Sequence, residues 1–91
     1  MMQTVHFTSA LKRFFPDIEP QHVEGQTIAE VLDRLENQYP GLKSYLVAEN
    51  GALRKHINIF VDGDLISDRD TLSDHVGQNQ DILIFQALSG G

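Results

Sequence analysis

The chain opens on an alternation of period two. Between Met2 and Ala10, Val5 and Phe7 fall on one side and His6 and Thr8 on the other, which predicts a strand. Leu11 to Pro16 breaks the alternation, and Pro16-Asp17 punctuates it. A second extended segment, about Ile18 to Glu24, carries Ile18 and Val23. Pro20 inside it predicts an edge strand or an irregular one, because proline has no N–H to give a central ladder. The period then changes. Ile28, Val31, Leu32, Leu35 and Tyr39 recur at helical spacing, with Glu30, Asp33, Arg34 and Glu36 off that stripe. Thr27-Ile28-Ala29-Glu30 in front of the stripe reads as a capping box, and Pro40-Gly41 behind it is a stop.

Leu42 to Leu53 is the least regular stretch, with Leu42, Tyr45, Leu46 and Val47 available to cover the end of a core. Ile57 to Val61 is a strong strand, Asp62-Gly63 a tight-turn signal, and Asp64-Leu65-Ile66 a short returning partner. Ser67 to Gln80 is polar and turn-rich. Within it, Thr71-Leu72-Ser73-Asp74 reads as a second small cap, opening one helical turn through Val76. Ile82 to Phe85 is a last strand, apolar enough for burial on both faces. Two hairpins flanking one helix predict an α+β chain of the β-grasp, ubiquitin-like kind. It has a mixed sheet of about four to five strands, one main helix on one sheet face, and the first and last strands parallel at the centre.

Composition narrows the function. Ninety-one residues predict one domain, 1–91, with residues 87–91 as an extended C-terminal tail. A hydrophobic share of 41% excludes a disordered chain. A net charge of −6 argues against nucleic-acid binding, which needs lysine and arginine. It suits either a basic partner surface or plain solubility. Without cysteine there is no disulfide, thiolate metal site or cysteine nucleophile. No long apolar run spans a membrane, and the first residues lack a signal-peptide layout, so a cytoplasmic location is expected.

Few residues carry chemistry. His6, His22, His56 and His75 lack ligand spacing, and Asp62, Asp64, Asp68 and Asp70 lack the glycine and closing glutamate of a calcium loop. No metal is expected, and these aspartates read as solvated turn carboxylates. Arg54-Lys55 reads as a solvated pair, with partner contact as the alternative. The end of the chain is different: Leu88, Ser89, Gly90 and Gly91 follow directly on a core strand. Paired glycines let a backbone approach another protein closely. The alternative is an ordinary frayed terminus. The strand periods also predict a patch. With Ile59, Val61, Ile82 and Ile84 facing the helix, Phe60, Leu83 and Phe85 share the open sheet face, where an exposed aromatic cluster marks a partner site.

The phrase Ile57-Asn58-Ile59-Phe60-Val61-Asp62-Gly63 and the ending from Asp81 to Gly91 resemble the MoaD/ThiS family of ubiquitin-like sulfur carriers. The capped helix ending near Tyr39-Pro40 and the opening Val5-His6-Phe7 strand fit as well. The length, the segment Ala48 to Lys55, the phrase His56 to Asp62 and the ending Gln86-Ala87-Leu88-Ser89-Gly90-Gly91 look most like the CysO-type branch, which feeds cysteine synthesis.

The resemblance implies a protein co-substrate, not an enzyme, with no bound cofactor. An ATP-dependent activating enzyme of the MoeB/ThiF type would adenylate the Gly91 carboxylate. A sulfur donor would then leave a thiocarboxylate there. The acceptor would be a sulfur-accepting synthase, cysteine synthase-like or similar to the molybdopterin synthase large subunit, in cysteine or molybdopterin/thiamine-type cofactor synthesis. Gly90, Ser89 and Leu88 would thread the partner's channel, and Phe85 stands where family members place a docking aromatic. Two alternatives stay open: a ubiquitin-like modifier joined to lysines through Gly91, and a β-grasp interaction module without tail chemistry.

Overall fold

In the computed structural model, residues 2–87 are described. The order is β1 (Gln3–Phe7), a 3-10 helix (Ser9–Arg13), β2 (Gln21–Val23), α1 (Ile28–Gln38), α2 (Leu42–Leu46), β3 (Ile57–Val61), β4 (Asp64–Leu65) and β5 (Asp81–Gln86). The five strands form one mixed sheet in the order β2-β1-β5-β3-β4. β1 and β5 run parallel at its centre, from Thr4 opposite Asp81 to Phe7 opposite Ile84, and the other pairs are antiparallel. This is the β-grasp arrangement that the period changes predict; β2 is an edge strand that begins only after Pro20, shorter than the segment Ile18 to Glu24 expected from the sequence.

One core lies between the helices and the inner sheet face. Val5, Ile57, Ile59, Ile82 and Ile84 supply the sheet side. Ile28, Val31, Leu32 and Leu35 supply α1, while Leu42 and Leu46 close one end from α2. Tyr39 is half-buried and packs edge-on against Phe7. Burying each such aliphatic side chain contributes about 1.5–3 kcal/mol. The cap forms as the sequence predicts: Thr27 Oγ1 accepts from the Glu30 N–H at 3.2 Å. Glu30 reaches back to the N–H of Gln26, 3.1 Å away. Buried Gln3 has no counterpart in the sequence reading. Its amide donates to Gly77 O at 2.9 Å and accepts from Gly25 N–H at 3.1 Å, tying the end of β2 to the loop before β5.

Three expectations need correction. The final strand is not buried on both faces. Ile82 and Ile84 are, but Leu83 is half-buried and Phe85 is 37% exposed, because no layer covers the outer face at these residues. Leu42 to Leu53 is more regular than its sequence suggests: it holds α2 and a bridge between Val47 and Leu53. No helical turn forms between Thr71 and Val76. Leu72 sits at φ 57° and His75 bridges to Thr27. The reason lies upstream. The Asp68 carboxylate accepts from the N–H groups of Asp70, Thr71 and Ser73 and from the Thr71 and Ser73 hydroxyls. A side chain that captures the local donors competes with a helix for them.

Candidate functional site

The outer sheet face follows from two registers. Asp62 (φ 48°) and Gly63 (φ 89°) turn the β3–β4 hairpin in two residues, the geometry that Asp-Gly favours. That turn sets Val61 opposite Asp64 and Phe60 opposite Leu65. On the other side of β3, Phe60 faces Leu83 and Asn58 faces Phe85, and His6 of β1 faces Leu83 across the parallel ladder. Directly opposed residues share a face. His6, Leu83, Phe60 and Leu65 therefore form a row across four strands, with Phe85 beside it towards the end of β5. The rings of Phe60 and Phe85 meet edge to face, centroids 6.4 Å apart.

Phe60, Leu83 and Phe85 thus come together as the alternation predicts. Leu65, 58% exposed, extends the same apolar surface and was not singled out from the sequence. The signal was present, because a two-residue Asp-Gly turn leaves only this register. His6 closes the row at its polar end, with Nε2 3.4 Å from Asp81 Oδ1.

The end of β5 is held on both sides. Thr8 N–H donates to Ile84 O, and the Gln86 N–H donates to Thr8 Oγ1, each at 3.2 Å. The Ala87 N–H donates to His56 O at 2.8 Å. Gln86 Oε1 accepts from the Tyr45 hydroxyl at 2.8 Å, and that ring contacts Phe14, Phe15 and His56. Backbone and side chain are both fixed up to the last described residue. A groove of about 470 Å³, lined by Thr8, Ser9, Ala10, Arg13, Phe85 and Gln86, runs beside this end on the β1 side. Phe14, 60% exposed, stands next to it on the chain. Leu88, Ser89, Gly90 and Gly91, the residues on which the tail chemistry was expected, lie outside the described residues.

The residues that look chemical have structural roles. Asp62 Oδ1 accepts from the Asp81 N–H at 2.8 Å, and Oδ2 accepts from Gln80 Nε2 at 3.1 Å, so it caps the start of β5 and is not simply a solvated turn carboxylate. Asp68 is held well below the usual carboxylate range, first by the Ser73 and Thr71 hydroxyls and then by backbone N–H donors. Glu36 is likewise lowered by the N–H groups of Gly41 and Lys43, at 2.9 and 2.8 Å, and so joins α1 to α2. The Arg54 guanidinium donates to Ser44 O, at 3.0 Å from Nη2, so it braces α2 against the start of β3 and is not merely half of a solvated pair. Among the described residues no group of three or more histidines and carboxylates is placed to hold a metal ion. No helix among them is long and apolar enough to cross a membrane.

Comparison with known proteins agrees with this geometry. The model of the ThiS family matches residues 5–91. The fold is similar to a chain of the BexX/CysO complex from Amycolatopsis orientalis, at 26% identity over 98% of this chain and 99% of that one, with a TM-score of 0.84. It is also similar to SAMP1 from Haloferax volcanii, at 21% identity over the whole of both chains and a TM-score of 0.82. CysO from Mycobacterium tuberculosis superposes with a TM-score of 0.81, at 22% identity over 94% of this chain and 99% of that one. A sequence search of functionally curated proteins gives no match.

Proposed function

Because the chain belongs to the ThiS family of ubiquitin-like sulfur carriers and modifiers, we propose that it carries sulfur as a thiocarboxylate on Gly91. The observation that carries this reading is the open sheet face. An apolar cluster of Phe60, Leu65, Leu83 and Phe85 lies along the middle and end of β5, the strand that precedes Gly90-Gly91 in the chain. A soluble chain that leaves such a cluster uncovered beside its tail has a place for a partner to grip.

The chemistry runs in two displacements. A Gly91 carboxylate oxygen attacks the α-phosphorus of ATP in the active site of a MoeB/ThiF-type enzyme, forming a C–O–P bond as pyrophosphate leaves. Hydrosulfide then attacks the activated acyl carbon, AMP departs as the C–O bond breaks, and loss of the S–H proton leaves the thiocarboxylate. Adenylation is needed because a carboxylate is a poor electrophile with a poor leaving group. The partner supplies positioning and charge stabilisation. This chain supplies a rigid root and a tail thin enough to enter the site. For the acceptor, we propose a cysteine synthase-like enzyme, since the likeness to a chain of the BexX/CysO complex and the ending Gln86-Ala87 favour the CysO-type branch.

The test is the intact mass of the chain after co-expression with its candidate activating enzyme and a sulfur source. A species heavier by one oxygen-to-sulfur exchange, absent when Gly91 is deleted, is the expected result. Protein-sized adducts through Gly91 would replace the carrier by a modifier. An unchanged mass, with competent enzyme and ATP present, would overturn both.

A further inference from the structure

Cations gather at one end of this acidic molecule. The chain has only seven lysines and arginines against thirteen acids. Lys12 and Arg13 end the 3-10 helix that follows β1, and Arg54 and Lys55 stand before β3, with His56 between. β1 runs parallel to β5 and β3 antiparallel to it, so both pairs lie at the end where β5 leaves the sheet. The hydrogen bonds described above bring them to its two sides: Gln86 is tied to Thr8, and Ala87 to His56. Arg13 also lines the groove beside Phe85 and Gln86.

All four cations are exposed. None pairs with a carboxylate among the described residues, where Lys43 pairs with Asp33 and His6 lies 3.4 Å from Asp81. Six of the thirteen acids collect elsewhere, while Glu36 and Glu49 line one cleft with Arg54. Residues 62–81 carry Asp62, Asp64, Asp68, Asp70, Asp74 and Asp81 against the single Arg69, and Asp62, Asp64 and Asp81 mark the opposite end of β3, β4 and β5. Asp17, Glu19 and Glu49 are the carboxylates nearest to the cations along the chain, and among the described residues none of them forms an ion pair with any of the four.

We propose that Lys12, Arg13, Arg54 and Lys55 form a basic collar that seats on a rim of carboxylates around the mouth of a partner's tail-accepting channel. This rests on the carrier reading and names the chemistry of its partner surface. The collar is continuous with the apolar face through Phe85 and the Arg13 groove, so one partner covers both. Distance separates the rim from the phosphates of the reaction itself. The four residues beyond Ala87 span at most about 14 Å when fully extended. With the tail at full stretch, the reacting carboxylate is that far ahead and the collar stays at the entrance. Opposite charges on the two ends of the face also fix the docking direction, since a reversed partner meets like charge at both ends. The collar acts mainly on encounter, as unpaired exposed charges do, and salt screens it.

The experiment measures association of the full-length chain with the ThiF/MoeB-type activating enzyme of the same genome, by stopped flow at low and high salt. Neutralising the collar in K12Q/R13Q/K55Q should slow association about tenfold at low salt, with the difference largely gone near 0.5 M salt. Arg54 is left intact because it also braces α2. The triple N37D/Q38E/Q78E makes the same change in net charge on α1 and the loop before β5, and should associate at least as fast as the unaltered chain. The collar is overturned if the first triple associates as fast as the unaltered chain, or if the second slows equally. If the unaltered chain is not adenylated by the enzyme at all, it is the carrier reading that fails. If adenylation proceeds and the collar variant is not slowed, only the collar fails.

Discussion

Ile84 and Phe85 are neighbours on β5 that face opposite ways, so truncating each should injure a different property. Ile84 is fully buried between Phe7 on β1 and Ile59 on β3. Ile84→Ala removes buried carbons from the centre of the sheet, where the backbone is held on both sides and cannot close the gap. The expected loss of stability is about 2–5 kcal/mol. For a chain of this size that lowers Tm by on the order of 10–30 °C.

Phe85 is already 37% exposed. Phe85→Ala forfeits its edge-to-face contact with Phe60, about 0.5–1.5 kcal/mol, and a fraction of its covered area. Its cost to the fold should be about 1–2 kcal/mol, near the centre of what single substitutions do. Against the activating enzyme proposed above the order should reverse. A central aromatic anchor contributes 2 kcal/mol or more at an interface, which is about 30-fold in Kd. Urea denaturation gives the first quantity, and calorimetric titration into the enzyme, at a temperature where both variants are folded, gives the second. Leu65→Ala should resemble Phe85→Ala in kind and be smaller. The reasoning fails if Phe85→Ala binds within twofold of the unaltered chain, or if folded Ile84→Ala loses as much affinity as Phe85→Ala.

Other perturbations test single features. Thr27→Ala removes the acceptor of the Glu30 N–H and should cost about 1 kcal/mol, lowering Tm by several degrees, while Thr27→Ser restores it. Gly63→Val places a branched side chain at φ 89° with nothing within 4 Å to clash, so the cost is the backbone's alone, about 1–2 kcal/mol in denaturation, and Gly63→Asn should recover most of it. Asp68 is held below its ordinary value of 3.8 by hydroxyl and N–H donors, so its charged form stabilises the fold. That contribution is complete above the ordinary value and is lost as pH falls through the lowered one. Asp68→Asn should therefore flatten the acid limb of a stability–pH curve measured by denaturant midpoints, and an unchanged limb would contradict the assignment.

The parts legible in the sequence were those decided locally. The change of period from two to 3.6 at Thr27, the Asp62-Gly63 turn and the stop at Pro40-Gly41 each depend on neighbours in sequence, and the structure follows them. The orientation of Phe60, Leu83 and Phe85 was legible too, since alternation fixes it once the inner face is known. What could not be read depends on distant pairings. The loop from Ser67 to Gln80 is ordered by Asp68 gathering five donors and by the bridge of His75 to Thr27, and both outbid a short helical pattern. Gln3 looks like a surface residue until Gly25 and Gly77 meet it. Lys12 and Arg13 lie far in sequence from Arg54 and Lys55, and only the parallel ladder and the turn into β3 bring them to one end.

That parallel ladder also governs how the domain comes into being. Its partners stand at the two extremes of the chain: Thr4 pairs with Asp81, and the contact closes nearly the whole sequence into one loop. Such closures come late and slowly, because the entropy of a long loop is lost before the contact rewards it. Until β5 arrives, β1 and β3 have no common neighbour and the sheet is two separate hairpin halves. A partly folded or clipped molecule lacking β5 has no centre, because β1 and β3 then share no neighbour. On the carrier reading proposed above, readiness to react and completeness of the fold would therefore depend on the same six residues, Asp81–Gln86. An activating enzyme that grips this strand would be, in effect, inspecting its substrate for quality before spending ATP on it.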